Sequence, residues 1–437
     1  MMIFLIFGGF LEKSGVGEYF IDFAQAMTGT AAGGPAKIAV VSSALFGSIS
    51  GSAEANVYGT GSFTIPLMKR IGYKPYFAAA VEAVASTGGQ IMPPVMGAGA
   101  FVMAALLGVP FKTIMIAAVL PALLYYGTVL LMVHLTAVRD GLEGLPEEEL
   151  PSVRSVVKRL YMMLPIVLLV YMLLAGYTPM YSAVAGIATA WGVSLFSPGK
   201  RMGPIAILQA VHDGSKTVPL VCTACASAGL VIGAIALSGV GFKFVSAVLA
   251  LSGGVPFLAL VLVAAVSLIL GMGLPTTSAY ILGAALGVPA LAKMGVMSLA
   301  AHLFVFYYAI ISNITPPVAL ASYAAASIAG SPPNRTGFAA CRLGVLAFIV
   351  PFAFCYDPGL LLQGGLWENA VSIVSGVASM AALGFAIAGF SRRRLSVAER
   401  LLFSVAGVLA LHGSALVSLA CAALVSGLYV FTRPHSL

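Results

Sequence analysis

Charge is what this chain has least of. Only 8% of its 437 residues are Asp, Glu, Lys or Arg, and just 14 are acidic. A soluble domain carries about 25% charged residues, so a fully water-solvated surface is excluded. Cysteine is also scarce. Cys222, Cys225, Cys341, Cys355 and Cys421 stand in apolar surroundings, and the one C-x-x-C, in "VCTACASAG", has no second pair or neighbouring histidine to complete a metal site. These two cysteines read as small residues at helix contacts, and no disulfide framework is expected. His134, His212, His302, His412 and His435 lie far apart. There is no G-x-x-x-x-G-K-[ST] phosphate loop, no G-x-G-D and no aspartate-rich metal motif. An intramembrane enzyme would need a nucleophile with its base, a carboxylate pair or a metal cluster. The chain is therefore read as a non-enzyme without an organic cofactor.

Hydrocarbon takes the place of charge: 60% of residues are hydrophobic, mean hydropathy is +1.04, and Gly 49 and Pro 24 interrupt the apolar runs. Runs of bilayer length recur, giving an expectation of roughly ten to twelve membrane-embedded elements. Alternating ten-residue strands are missing, so a β-barrel is excluded. The fold class is an all-α polytopic membrane protein with the bilayer as its solvent. The net charge of +8 would point to nucleic acid in a soluble protein. Here the basic residues sit in short loops and orient the chain, so no nucleic-acid partner is expected. Lys69, Arg70 and Lys74; Arg154, Lys158 and Arg159; Lys200 and Arg201; and Arg392, Arg393, Arg394 and Arg400 are candidate cytoplasmic markers. No secretory signal is evident. The opening "MMIFLIFGGFLEKSG" is apolar only up to Glu12 and Lys13, as if the chain began partway through a membrane helix.

Polar interruptions divide the chain into a first repeat (1–135), a polar connecting loop (136–159), scaffold helices (160–214), a second repeat (215–358) and extra C-terminal helices (359–437). The two repeats share a pattern. "GSISGSAEANVYGTGSFTIP" is followed by "ASTGGQIMPPVMGAGA", and "GMGLPTTSAYILGAALGVPA" by "ISNITPPVALASYAAA". Gly51 to Pro93 spans 42 positions, as does Leu274 to Pro316. Proline removes a donor and disfavours helix in the residue before it, so Met92 and Thr315 should leave helical geometry. Unpaired backbone survives in a bilayer only where protein or a polar cavity satisfies it. Freed carbonyls together with the hydroxyls of Ser86, Thr87, Thr276, Thr277, Ser278 and Thr315 form a hard-oxygen set suited to a desolvated alkali cation. Half-helix N-termini beside them suit an anionic substrate. A plain proline kink, relieved by serine and threonine, accounts for a single break more readily than for a pair repeated at the same interval. A channel would account for oxygen-lined breaks but not for their duplication in two halves.

At these residues the sequence resembles the large membrane subunit of tripartite ATP-independent periplasmic (TRAP) transporters, of the type paired with TAXI solute-binding proteins. "LFGSISGSAEANVYGTGSFTIPLMKRIGY", "STGGQIMPPVMGAGAF", "GMGLPTTSAYI" and "ITPPVALASYAAASIAG" carry the resemblance over about residues 3 to 358. It implies two inverted repeats, each with a re-entrant hairpin and a broken helix. It also implies an elevator-type secondary transporter of the bacterial inner membrane, driven by an ion gradient, usually sodium. A periplasmic receptor would deliver a small organic acid, and a small membrane subunit would brace the scaffold. The family's binding hairpins fall on Ser50, Gly51, Ser52 and Asn56, opposed by Ser86, Thr87, Gly88 and Pro93. In the second half they fall on Gly273, Pro275, Thr276 and Thr277, opposed by Asn313, Thr315 and Pro316.

The chain departs from the pattern twice. Glu54 stands where the motif usually has a small apolar residue, and the small subunit's helices, often fused upstream in this type, do not precede Met1. Glu54 and Glu82 are the acidic residues of the embedded first half, and each is a candidate coupling group. The structural alternatives are a wet Glu54, or one paired with Lys37 or Lys69, and a Glu82 held by hydrogen bonds. His302 reads as a packing or hydrogen-bonding histidine, and the aromatic run "FVFYY" as facing neighbouring helices and lipid.

Overall fold

The computed structural model describes residues 2–197, 199–216 and 218–431, so His435 lies outside the described residues. Every regular element among them is helical, and the only β contact is an isolated bridge between Phe390 and Arg394. The first part of the chain builds α1 (Met2–Lys13), α2 (Val16–Thr28), α3 (Gly34–Ser50), α4 (Ala53–Arg70), α5 (Pro75–Gly88), α6 (Ala98–Leu107) and α7 (Phe111–Asp140). A connection with the short α8 (Val153–Lys158) leads to α9 (Leu164–Leu174), α10 (Pro179–Ser194), α11 (Pro204–Lys216), α12 (Val218–Ser238) and α13 (Val240–Ser252). Then come α14 (Pro256–Gly271), α15 (Thr276–Lys293), α16 (Ser298–Ile311), α17 (Leu320–Ala329), α18 (Pro333–Leu343) and α19 (Val345–Tyr356). The tail is α20 (Leu366–Ala388), α21 (Val397–Ala410) and α22 (Ala415–Phe431).

Long uninterrupted spans are fewer than the hydropathy runs imply. Among the described residues only α7 and α20 are by themselves long and apolar enough to cross a bilayer, or up to five spans if three bent pairs are each counted as one. The difference lies in the breaks, because proline and glycine cut apolar sequence into helices of 10 to 18 residues. Helix α7 also runs past residue 136 to Asp140, where Gly141 caps it in the left-handed region. The polar connection therefore begins at Gly141.

Two groups of elements correspond at a constant displacement of 223 residues, the interval from Pro93 to Pro316. By that displacement the end of α4 at Arg70 falls on the end of α15 at Lys293. The start of α5 at Pro75 falls on the start of α16 at Ser298, and the end of α5 at Gly88 on the end of α16 at Ile311. Helices α5 and α16 stop one residue short of the position four before the first proline of each pair. A proline ring clashes with the carbonyl at that position, which is where helical geometry must end. Both double prolines hold a cis bond, Pro93–Pro94 and Pro316–Pro317.

The groups interlock. Helices α3 and α4 pack on each other and on α5, and α14 and α15 pack on α16. The half-helix after each break crosses over: α6 lies against α15 and α16, while α17 lies against α4 and α5. Gly99 at the start of α6 meets the rings of Phe306 and Tyr280. The "FVFYY" run is buried throughout, with Phe304 set edge-on against Phe352. Those rings face protein and not lipid. Helix α2 is amphipathic, burying Val16, Tyr19, Phe20 and Ala24. Its polar side is tied by Arg159 to Asp22 at 2.8 Å and by Lys200 to Glu18 at 2.5 Å.

Candidate functional site

The first tip is the turn between α3 and α4. Gly51 takes φ +65, and a Cβ there would lie 2.9 Å from the carbonyl oxygen of Met96, so the turn needs glycine for both conformation and space. Ser52 caps α4, accepting from the Ala55 amide at 3.3 Å. The tip is fastened to the break after α5, since the Ser48 carbonyl accepts from the amides of Val95 and Met96, both at 3.2 Å. Beneath it the backbones of Gly47 and Gly89 touch, and a Cβ on Gly89 would sit 2.5 Å from the Gly47 Cα. Gly88 is equally crowded by the Tyr125 ring. The hydroxyls of Tyr125 and Tyr126 donate to the Val84 and Ala85 carbonyls, each at 2.7 Å, satisfying backbone that the break sets free.

The second tip, between α14 and α15, has Gly273 at φ +80 and Pro275 as the residue before α15. The facing break is short. Ser312–Ile314 forms one 3-10 turn and Thr315 is extended at φ −98, ψ 118, as the proline after it requires. Asn313 donates to the Thr276 hydroxyl at 3.1 Å, joining break to tip. A Cβ on Gly271 would run into the Ser312 side chain, so this tip too depends on glycine for space. Thr315 donates its hydroxyl to the Ile311 carbonyl at 2.8 Å, which leaves the oxygen lone pairs available. Pro316 packs on Gly337.

Several buried oxygens and hydroxyls near these turns have no partner among the described residues: Ser50, Thr87 and the Oε1 of Gln90 in the first half, Ser278 and Ser322 in the second. Buried polar atoms are nearly always satisfied, so unspent oxygens at both breaks are what a dehydrated cation or bound water would use. The residues fit such an ion. Among the described residues no group of three His, Cys, Asp or Glu could hold a transition metal. Thr277 is buried beside them on the first turn of α15.

Other expected site residues have prior engagements. Asn56 is fully buried, donating to the Ser43 carbonyl at 2.9 Å, so it joins the two arms of the hairpin. Ser86 donates to Glu82 at 3.1 Å, pointing away from the tip. Glu82 is completely buried, and its carboxylate also accepts from Ser43 at 2.8 Å, Thr60 at 2.6 Å and Thr64. Those hydroxyls were not singled out from the sequence. The signal was there: Asn56, Thr60 and Thr64 recur at four-residue intervals, hence on one face of α4, opposite Glu82 and Ser86 at the same interval on α5. The half-buried Glu54 accepts from Ser52 at 3.0 Å. Neither proposed lysine reaches it, because Lys37 meets His134 at 3.1 Å and Lys69 donates to the Ala329 carbonyl. His302 shares a 2.8 Å hydrogen bond with Tyr280. A cavity of about 720 Å³ opens beside the first tip, reaching from Ser50 and Tyr58 to Glu12 and Lys200.

An all-helical membrane bundle with oxygen-rich breaks at matched positions is the architecture of a permease. The chain belongs to the family described as "Tripartite ATP-independent periplasmic transporter, DctM component", whose model matches residues 1–368. It is 28% identical over 369 residues to the C4-dicarboxylate TRAP transporter large permease protein DctM of Pseudomonas aeruginosa, covering 83% of this chain and 85% of that one. It is 23% identical to the sialic acid TRAP transporter large permease protein SiaM of Vibrio cholerae, covering 80% of each. A 91-residue stretch is 37% identical to the isethionate TRAP transporter permease protein DctMQ of Oleidesulfovibrio alaskensis, covering 21% of this chain and 14% of that one.

Proposed function

We propose that this large permease subunit imports a small organic acid across the bacterial inner membrane by symport with sodium, in an elevator motion. The unspent buried oxygens at both breaks carry the reading. Sodium would be held at the first tip by Ser50, Thr87 and neighbouring carbonyls, and at the second by Thr276, Thr277 and Thr315. The acid would sit between the tips, facing the N-termini of α6 and α17. Bound cations offset the substrate's negative charge and so lower the cost of moving it through a low-dielectric layer, which ties the two fluxes together. The two hairpins with their broken helices, as inverted repeats, would form the moving body. Helices α9 and α10 would belong to the scaffold, braced by a small membrane subunit. A periplasmic solute-binding protein of the TAXI type would deliver the substrate. Its identity would set selectivity, and the names of the relatives bracket the chemistry: C4-dicarboxylate, sialic acid and isethionate are all organic acids.

The test is uptake into proteoliposomes holding the full complex and its binding protein, with sodium and proton gradients imposed separately. Sodium-driven uptake that survives Glu54→Ala supports the hairpin-oxygen site. Proton-driven uptake abolished by that substitution would move coupling to Glu54, and uptake indifferent to both gradients would overturn the symport reading.

A further inference from the structure

Away from the tips, a second polar region gathers around a cavity of about 610 Å³ where the start of α5, the ends of α7, α18 and α20, and the turn leading into α21 meet. Its wall holds Lys74, Arg139, Arg342, Arg394 and Arg400 against a single carboxylate, Asp140. Three of the guanidiniums are committed to backbone. Arg139, Arg342 and Arg400 donate to the carbonyls of Ala388, Ile387 and Ala386, the last of α20, where the helix dipole favours positive charge. Arg139 also pairs with Asp140 at 2.8 Å. Arg393, on the same turn, is taken by Glu399 at 2.5 Å. The side chains of Lys74 and Arg394 make no hydrogen bond among the described residues and line the cavity with their donors unspent.

The wall carries four more cations than carboxylates, an excess of one sign that attracts anions to the cavity. Guanidiniums fixed by helix ends also present the forked donors that suit phosphate oxygens. The floor is apolar and aromatic, with Tyr73, Phe77 and Leu395. The cavity lies at the ends of α7 and α20, which among the described residues are by themselves long and apolar enough to span a bilayer, and basic pockets between helices at the ends of such spans suit anionic headgroups. Two of its arginines and the end of α20 lie beyond residue 368, outside the match to the family.

We propose that this cavity binds a phosphate group, supplied either by the headgroup of an anionic phospholipid or by a soluble phosphate. It thereby pins the tail helices to the start of α5. The inference does not depend on sodium coupling or on the substrate.

The full-length chain is placed in nanodiscs of phosphatidylcholine with or without a minor share of phosphatidylglycerol, and retained lipid is counted by native mass spectrometry. In a second arm, sodium phosphate or sodium chloride of equal ionic strength is added to phosphatidylcholine nanodiscs and the unfolding midpoint is read. Preferential retention of phosphatidylglycerol, reduced several-fold by Lys74→Gln with Arg394→Gln but not by Arg154→Gln with Lys158→Gln, identifies a lipid site. A midpoint raised by phosphate in the wild type and not in the cavity variant, without lipid preference, identifies a soluble phosphate. The charge-conserving pair Lys74→Arg with Arg394→Lys should restore whichever signal is lost, separating binding from misfolding. Equal behaviour of wild type and cavity variant in both arms would overturn the proposal.

Discussion

Glu82 and Val305 occupy corresponding places, since the displacement that carries Pro93 onto Pro316 carries one onto the other. Val305 packs its methyls against Gly283 and Gly287, the counterparts of Thr60 and Thr64. The same backbone arrangement is thus filled with hydrocarbon in one half and with a carboxylate among hydroxyls in the other. Glu82→Val should therefore be tolerated at a cost of about 2 kcal/mol, because Thr60 and Thr64 can fall back on the carbonyls of Asn56 and Thr60. Val305→Glu, with no hydroxyl to receive it, buries an unpaired carboxylate and should cost roughly twice as much or prevent folding. Thermal unfolding of the two purified variants decides this, and equal losses would refute the argument. Thr315→Val removes one hydrogen bond to Ile311, worth about 1 kcal/mol. It should raise the sodium concentration needed for half-maximal uptake while leaving the protein folded. An unchanged sodium dependence would strike Thr315 from the ligands.

Between elements, contact depends on glycine as much as on apolar packing. Gly89→Ala places a methyl 2.5 Å from the Gly47 Cα, where backbone cannot yield as a side-chain end can. The variant should lose about 1–3 kcal/mol and most of its uptake, since the first tip would be pushed off its break. Gly192→Ala, with nothing within 4 Å of the new Cβ, is the control and should behave as wild type. Much of this level was legible beforehand. The repeated interval located both tips, and the double prolines located both breaks, because ring sterics act locally. The cross-over of α6 and α17 was not legible, nor was the cage around Glu82. Each depends on which face of one helix meets another, and a uniformly apolar helix gives no periodicity from which to read a face. The bends that cut the apolar runs into short helices were not legible for the same reason: hydropathy measures solvent and is blind to a bend.

At the scale of the whole molecule, the crossing of half-helices means that neither group of elements completes its own core. The Lys69 ammonium in the first group donates to the Ala329 carbonyl at the end of α17, while α6 buries Gly99 against the rings of the second group. A chain ending within the polar connection would leave α4 and α5 without the face that α17 covers. The remainder would lose the cover that α6 gives to α15 and α16. In a bilayer that loss is one of packing and satisfied polar groups and not of water exclusion, so each half should insert but fail to hold its hairpin. Splitting the gene between Glu147 and Glu149, outside both groups, gives the test. Either fragment alone should purify as a polydisperse species that is rapidly proteolysed at its tip. Co-expressed fragments should assemble, recover a single unfolding transition and support uptake. A first fragment that is monodisperse and protease-resistant alone would show that the hairpins are self-sufficient and that the cross-over is dispensable.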